Sequence, residues 1–554
     1  RGAGPVLRPL GGAAVARARA PAAVVSATRR IVLAAAALAA LAALASGPPG
    51  GATVVAHRTL LVTSAPDGAP ANGDSADPDL SDLGTVVALD SRATNLVASD
   101  PNGAQRDVFT IDLVTGERRL VSAPPDGGGA DGPSSAPAIS EDGQTVAFVS
   151  QATNLVANDA NGVADIFVRT GDEAPQRVSV GAGGVEANGP SSQPDLSADG
   201  RYVAFTSAAS NLVPGDTNGV PDVFLRDLDG GTTTRLSVSS DAAQGNGRSS
   251  SPAIAGDGST VAFESAASNL VRRDRNGAAD VFVRQIAAQR TLRVSVDSRE
   301  REQDRGIRPP FTATPDISDD GAIVVFDSDA TNLTPGDTNA HTDLFRRDIP
   351  HGRTSLVSAS SRNIQGNNDS FSPALSPDGL VMAFESFATN LAPGDAPRED
   401  VFVRDLLHGS TTVASVPDAG GGRAPELVPQ LLQRPSLSGD GREVAFVSTA
   451  PNLVPGDTNG HADVFVRRLD PPDGSQAGPV RTRQGRLVVT LAADDPRATA
   501  FVCRVDSGAP FACGRSVTLP RGLRPGLHLL RARAGGPGML SDPTPVRVPF
   551  RVPR

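Results

Sequence analysis

The chain of 554 residues has no tryptophan, no lysine and one tyrosine, Tyr202. So few ring faces exclude an aromatic platform for stacking sugars. The 61 acidic side chains outnumber the 51 basic ones, for a formal net charge of -10. The chain therefore lacks the basic face that neutralises phosphates, which excludes a nucleic-acid partner. Its six histidines (57, 341, 351, 408, 461 and 528) are scattered, with no H-E-x-x-H and no Cys/His cluster. There is no G-x-S-x-G elbow. The one long apolar run, Ile31 to Ala45, has 15 residues, short of the ~20 that span a membrane. It follows Arg29 and Arg30 and precedes small residues, so residues 1–52 are expected to be an export leader. The expected location is secreted or extracytoplasmic, in the cell envelope, with no membrane span after the leader is removed. In that setting the only two cysteines, Cys503 and Cys513, are expected to form a disulfide.

What the chain does have is repetition. "SEDGQTVAF" (140–148) returns as "SADGRYVAF" (197–205), "AGDGSTVAF" (255–263), "SDDGAIVVF" (318–326), "SPDGLVMAF" (376–384) and "SGDGREVAF" (438–446). A first, degenerate copy is "SDLGTVVAL" (81–89). The glycines 84, 143, 200, 258, 321, 379 and 441 are 57 to 63 residues apart. Each unit reads as four short strands: "P-D-L-S", an Asp-Gly turn, "Y-V-A-F-T-S", then "D-V-F-L-R-D-L", then "T-T-R-L-S-V". Four strands repeated seven times predict an all-β, seven-bladed β-propeller over residues 53–470. The seventh unit lacks its own fourth strand, and "RTLLVTSAPDG" (58–68) matches "RRLVSAPPDGG" (118–128). The N-terminal strand is therefore expected to complete the last blade and leave no open edge. Of the 19 phenylalanines, 13 fall in the "V-A-F" and "D-V-F" strands, where alternation sends them into blade interfaces.

"LSPDGLVMAFES" (375–386) resembles the repeat of TolB-type propellers, a WD-repeat-like group of exported bacterial proteins, and the resemblance covers roughly residues 57–470. It implies the fold. Such propellers serve as partner-binding scaffolds and as accessory domains of peptidases. Residues 471–482 read as a linker. Residues 483–554 resemble small Ig-like β-sandwich modules of bacterial surface proteins, on Phe501, Cys503, Asp506, Phe511, Cys513, Gly526, His528 and Arg531.

Three polar positions never vary among the units. An Asn precedes Leu (Asn95, Asn154, Asn211, Asn269, Asn332, Asn390, Asn452). An Asp follows five residues later (Asp100 in the first unit, Asp457 in the last). Another Asp opens the third strand (Asp107 to Asp463). "D-x-N-G-x-x-D" offers oxygens around a sharp Gly turn, as calcium loops do. The candidate ligands are Asp159, Asn161, Asp165, Asp216, Asn218, Asp222, Asp274, Asn276, Asp280, Asp457, Asn459 and Asp463. The competing reading is structural: Asx turns and side-chain bonds to backbone that hold a long loop. Unit six keeps Asp395 and Asp400 while losing Asn and Gly, which favours the structural reading.

The functional expectation is a monomeric, non-catalytic scaffold that needs no cofactor, with Ca²⁺ the one candidate ion. It would bind a protein or other envelope ligand through its long-loop face, because long loops on a rigid ring are where binding resides. The alternative is a propeller-based hydrolase or lyase with an Asp-rich, Ca-dependent site.

Overall fold

The computed structural model describes residues 59–306, 313–392, 398–407, 409–417 and 434–469, and beyond them strands lying between 476 and 552. The expected leader lies outside the described residues. Seven four-stranded antiparallel sheets follow one another, each in the order of the chain except the last. Blade three is representative: Ser191–Leu196 innermost, then Tyr202–Ser207, Asp222–Asp227 and Thr232–Arg235. Blade seven is assembled from Ser436–Leu437, Glu443–Ser448 and Asp463–Arg468, and its fourth strand is Thr59–Leu61. Thr59 pairs with Arg467 and Leu61 with Phe465, so the ring closes as the truncated last unit predicts.

The "V-A-F" and "D-V-F" rings meet across the two central strands of blades two to seven, and in blade one Leu89 faces Phe109. Phe205 pairs directly with Phe224, their centroids 5.8 Å apart, and Phe263 and Phe282 lie 6.0 Å apart. Each hydrophobic cluster then spans two blades. One joins Val62, Val464 and Val466 of blade seven to Leu80, Val87, Leu89 and Phe109 of blade one, which seals the closing interface with apolar contact.

The innermost strand is longer than the "P-D-L-S" reading and is interrupted. Its register shifts by a bulge before the proline, between Ser192 and Asp195 in blade three and between Ser250 and Ala253 in blade four. Gln193 and Ser251 sit there at φ +54° and +52°. Proline has no N–H to donate, so it belongs on an edge strand or at a bulge, and here it has both. Positive φ at non-glycine residues is strained and persists only where neighbours impose it.

In the C-terminal part, Phe511–Cys513, Ala500–Val505, Gly526–Gly535 and Val546–Val552 form one antiparallel sheet. Arg486–Ala492 pairs with Gln476–Ala477, Arg481–Arg483 and Ser516–Thr518 in another, so the segment expected as linker carries two short strands. Cys503 and Cys513 are joined by a disulfide across neighbouring strands.

Candidate functional site

The invariant Asn clamps the loop between the second and third strands to the inter-blade link beside it. Asn211 Nδ2 donates to Glu186 O at 2.7 Å, and its Oδ1 accepts the Asn188 N–H at 3.0 Å. Asn188 in turn holds Ser210 through backbone and hydroxyl, at 2.8 and 2.9 Å. The same pair of bonds is made by Asn95, Asn154, Asn269, Asn332 and Asn390. Asp131 and Asp304 replace Asn188 in two copies and cap Thr153 and Thr331 from exposed positions.

The Asp opening the third strand is fully buried in blade three, where Asp222 accepts the Ser237 hydroxyl. That hydroxyl also accepts the Val223 N–H. A Ser or Thr two residues past the fourth strand plays this part in all seven blades, with Thr63 supplying it to Asp463 at 2.6 Å across the ring closure. The calcium candidates of each loop lie together, and their oxygens have internal partners. Asn218 Nδ2 donates to Asp222 at 2.9 Å and to Gly245 O at 3.0 Å. Asn161, Asn276 and Asn459 donate to Asp165, Asp280 and Asp463 in the same way. In blades two to four a guanidinium lies between the two carboxylates. Arg177 is 3.1 Å from Asp159 and 3.7 Å from Asp165. Arg235 is 3.3 Å from Asp216 and 3.7 Å from Asp222. Arg293 is 3.3 Å from Asp274 and 3.1 Å from Asp280. Burial nonetheless pushes Asp274 up to about 6, with Asp280 adding to the rise and Arg293 opposing it. In blade seven, burial pushes Asp463 up to about 6 against the Thr63 and Asn459 bonds. Among the described residues no group of three His, Cys, Asp or Glu side chains is placed to hold a metal.

The central channel is acidic. A cavity of about 480 Å³ is lined by the Pro-Asp-Leu segments, including Asp79, Asp195, Asp316 and Arg434. Asp occupies this position in blades one, three and five, and Ala138, Ala253 and Ala374 occupy it in the blades between. The alternation has a physical reason. Asp195 accepts its neighbour Leu196 N–H at 3.0 Å and the Ile254 N–H of the next blade at 2.7 Å. Asp316 does the same for Ile317 and Leu375, at 2.8 and 2.6 Å. Asp79 takes the Ile139 N–H at 2.8 Å and the hydroxyl of Ser436, the blade-seven residue at this position, at 2.9 Å, so the alanines of blades two, four and six need no carboxylate of their own. Burial pushes Asp195 up to about 7, and the Ile254 N–H pulls the other way. Asp90 also rises to about 7, from burial and then from the charge of Asp77.

Sequence reasoning missed three features. The third-strand Arg and the fourth-strand Thr staple neighbouring blades: Arg404 reaches Ala359 O at 2.6 Å, and Thr411 donates to the same oxygen at 2.6 Å. The links fold into small hairpins, closed by isolated bridges such as Val238–Gln244 and Ala359–Gln365. His341 and His461, counted only among scattered histidines, each face an Asp at 3.0 Å: Asp369 and Asp74. These Asp share one repeat position and the two His share another, a co-occurrence that was open to inspection.

No family model and no curated protein matches the chain. Among solved structures, TolB from Acinetobacter baumannii is 15% identical, with a TM-score of 0.34, over 70% of this chain and 73% of its own. The oligogalacturonate lyase from Vibrio parahaemolyticus is 12% identical, with a TM-score of 0.43, over 75% of this chain and 94% of its own. A puromycin-hydrolyzing peptidase from Mycobacterium tuberculosis is 16% identical, with a TM-score of 0.41, over 78% and 61%. Likeness of this size carries no argument. The propeller rests on the strand pairing above.

Proposed function

We propose that the protein is an exported, non-catalytic binding scaffold that presents its long-loop face to a cationic partner in the cell envelope. The observation that carries this reading is the loop-to-link clamp. Six copies of one Asn hold long polar loops against their links, so the face is built in advance and little ordering entropy is lost when a partner docks. The rim acids Asp131 and Asp304 are exposed on that face, and the chain's net charge of -10 favours a partner of opposite sign. On the opposite face main-chain bonds tie adjacent turns together, such as Ala198 N to Gly256 O at 3.0 Å and Asp319 N to Pro377 O at 2.9 Å. The disulfide fits an oxidising compartment. We read the C-terminal sheets as an Ig-like module that accompanies the scaffold. The test is capture of a partner from the envelope fraction by the full chain, compared with Asp131→Arg and Asp304→Arg on the loop face and with Asp142→Arg and Asp199→Arg on the turn face.

One observation favours the enzymatic alternative. Glu385 lies buried in blade six with Oε2 lacking a hydrogen-bond partner. Burial and then Glu399 raise it well above the ordinary range, and Glu399 itself rises to about 7 through burial and Asp400. A carboxylic acid held neutral beside a second carboxylate is the arrangement a general acid needs. Loss of a hydrolase or lyase activity in Glu385→Gln would support that reading.

A further inference from the structure

Blade one departs from its neighbours at the loop where the carboxylates meet. Strand register fixes the equivalence: Leu120 pairs with Phe109 as Arg177 pairs with Phe167, Arg235 with Phe224 and Arg293 with Phe282. Where blades two to four place a guanidinium between two carboxylates, blade one places an aliphatic side chain. The amide or carboxylate of the link is missing too. Glu186 and Gln244 each stand five residues before the inner strand of the next blade, and Gly129 stands there in blade one. A Cβ on Gly129 would lie 2.7 Å from Asn102 Cβ, so no side chain fits there without moving the loop. Gly103 turns the chain at φ +73°, as Gly162 and Gly219 do at +66° and +69°, but the loop carries one more residue before its second Asp.

The consequence is a cluster of four buried oxygens with no well-formed hydrogen bond: both of Asp100, toward which only the Asn102 and Gly103 N–H groups point, Oδ1 of Asn102 and Oδ2 of Asp107. Asp107 is wholly buried, and its other oxygen takes the Ser122 hydroxyl at 2.7 Å. Asn102 Nδ2 is held by Ala130 O at 3.1 Å and Gln105 Oε1 at 3.4 Å. Blade five also lacks the arginine, having Leu356 at that register position, but there Gln365 Nε2 bridges Asp337 and Asp343 at 2.9 and 2.7 Å. In blade one neither a guanidinium nor a link amide bridges the two carboxylates; blade seven also lacks both, with Leu61 and Pro70 at those positions, but there the Thr63 hydroxyl and the Asn459 amide take both oxygens of Asp463. Buried acceptors left unpaired are costly, and an all-oxygen set with two carboxylates is the chemistry of a hard divalent cation.

We infer that the blade-one loop is a calcium-class divalent cation site, with Asp100, Asn102 and Asp107 as its protein ligands and water filling the rest of the shell. The arginines of blades two to four then stand as covalently attached replacements for that ion. Asp100 is half-buried as a residue, the less enclosed of the two carboxylates. A few protein oxygens with water place the affinity in the range of extracellular modules, a Kd on the order of 10⁻⁴–10⁻³ M.

The test is titration calorimetry of the full chain with CaCl₂ after chelator treatment. One Ca²⁺ per chain is expected. Leu120→Arg keeps every ligand and supplies the guanidinium of the other blades, so it should weaken binding at least tenfold and leave the fold intact. Asp100→Asn, at a half-buried position, should weaken it similarly and decides the matter if Leu120→Arg does not fold. The inference is overturned by an absence of binding at about 5 mM Ca²⁺, by unchanged binding in either variant that folds, or by binding that is lost in Asp216→Asn and kept in Asp100→Asn.

Discussion

Thr63→Val tests whether the N-terminal strand belongs to the last blade. Thr63 is fully buried, its hydroxyl donates to Asp463 Oδ1 at 2.6 Å, and it accepts the Val464 N–H at 3.1 Å. Valine has the same shape and makes neither bond. The substitution removes a hydrogen bond to a carboxylate, about 1.5–3 kcal/mol, and leaves a buried acceptor and donor unpaired at about 1–3 kcal/mol. These terms overlap, because Asp463 relaxes toward the Asn459 amide at 2.7 Å, so the expected loss is about 2–4 kcal/mol. Ser122→Ala removes the equivalent pair of bonds in blade one, where Ser122 donates to Asp107 at 2.7 Å and accepts the Val108 N–H at 3.0 Å. Both variants would be measured by urea unfolding near pH 8, where both carboxylates are ionised. The two losses should agree within about 1 kcal/mol. A Thr63→Val protein as stable as the parent, beside a destabilised Ser122→Ala, would mean the strand at 59–61 does not close the ring.

Three further outcomes are expected. Asp195 and Asp90 titrate near 7 when folded, Asp316 and Asp327 near 6, all raised first by burial. Unfolded they titrate near 3.9, so the native state holds more protons between those values and loses stability as pH rises through 6–7. Melting should be higher at about pH 5.5 than at pH 8, and the reverse order would contradict the buried-carboxylate account. Asn211→Ala should speed hydrogen exchange at residues 186–189 and cost about 1–3 kcal/mol; unchanged exchange there would deny the clamp. Deleting residues 53–66 should expose the edge of Asp463–Arg468 and cause aggregation, and a soluble, cooperatively melting product would refute closure.

The fold was legible because one unit recurs seven times, and each copy corrects the noise of the others. Closure was legible from a deficit: a last unit without "R-V-S-V" and a matching strand, "RTLLVTSAPDG" (58–68), ahead of the first unit. The bulge at Gln193 and Ser251 was not legible, since Ser-Ser-Gln-Pro reads as loop until the next blade is seen to hold it: Gln193 Oε1 accepts the Ser251 N–H at 3.1 Å. The staples made by Arg404 and Thr411 were hidden for a similar reason. They look like ordinary strand residues, and only their acceptor, a carbonyl in the preceding link, gives them a purpose. At the loops, counting matches to a calcium pattern favoured the copies with a good Asn-Gly turn. In blade one Asp107 follows Asp100 by seven positions, against six in blades two to four, although what decides the chemistry is the residue facing the pair: Arg235 in one blade, Leu120 in another.

The central claim is that the clamped long-loop face does the work and the stitched turn face does not. The most direct measurement is cross-linking of the full chain to its partner in the native envelope, with the charge reversals on the two faces compared at matched folding. Asp131→Arg and Asp304→Arg should abolish the cross-linked species, while Asp142→Arg and Asp199→Arg leave it unchanged. Loss of cross-linking through the turn-face variants alone would contradict the account.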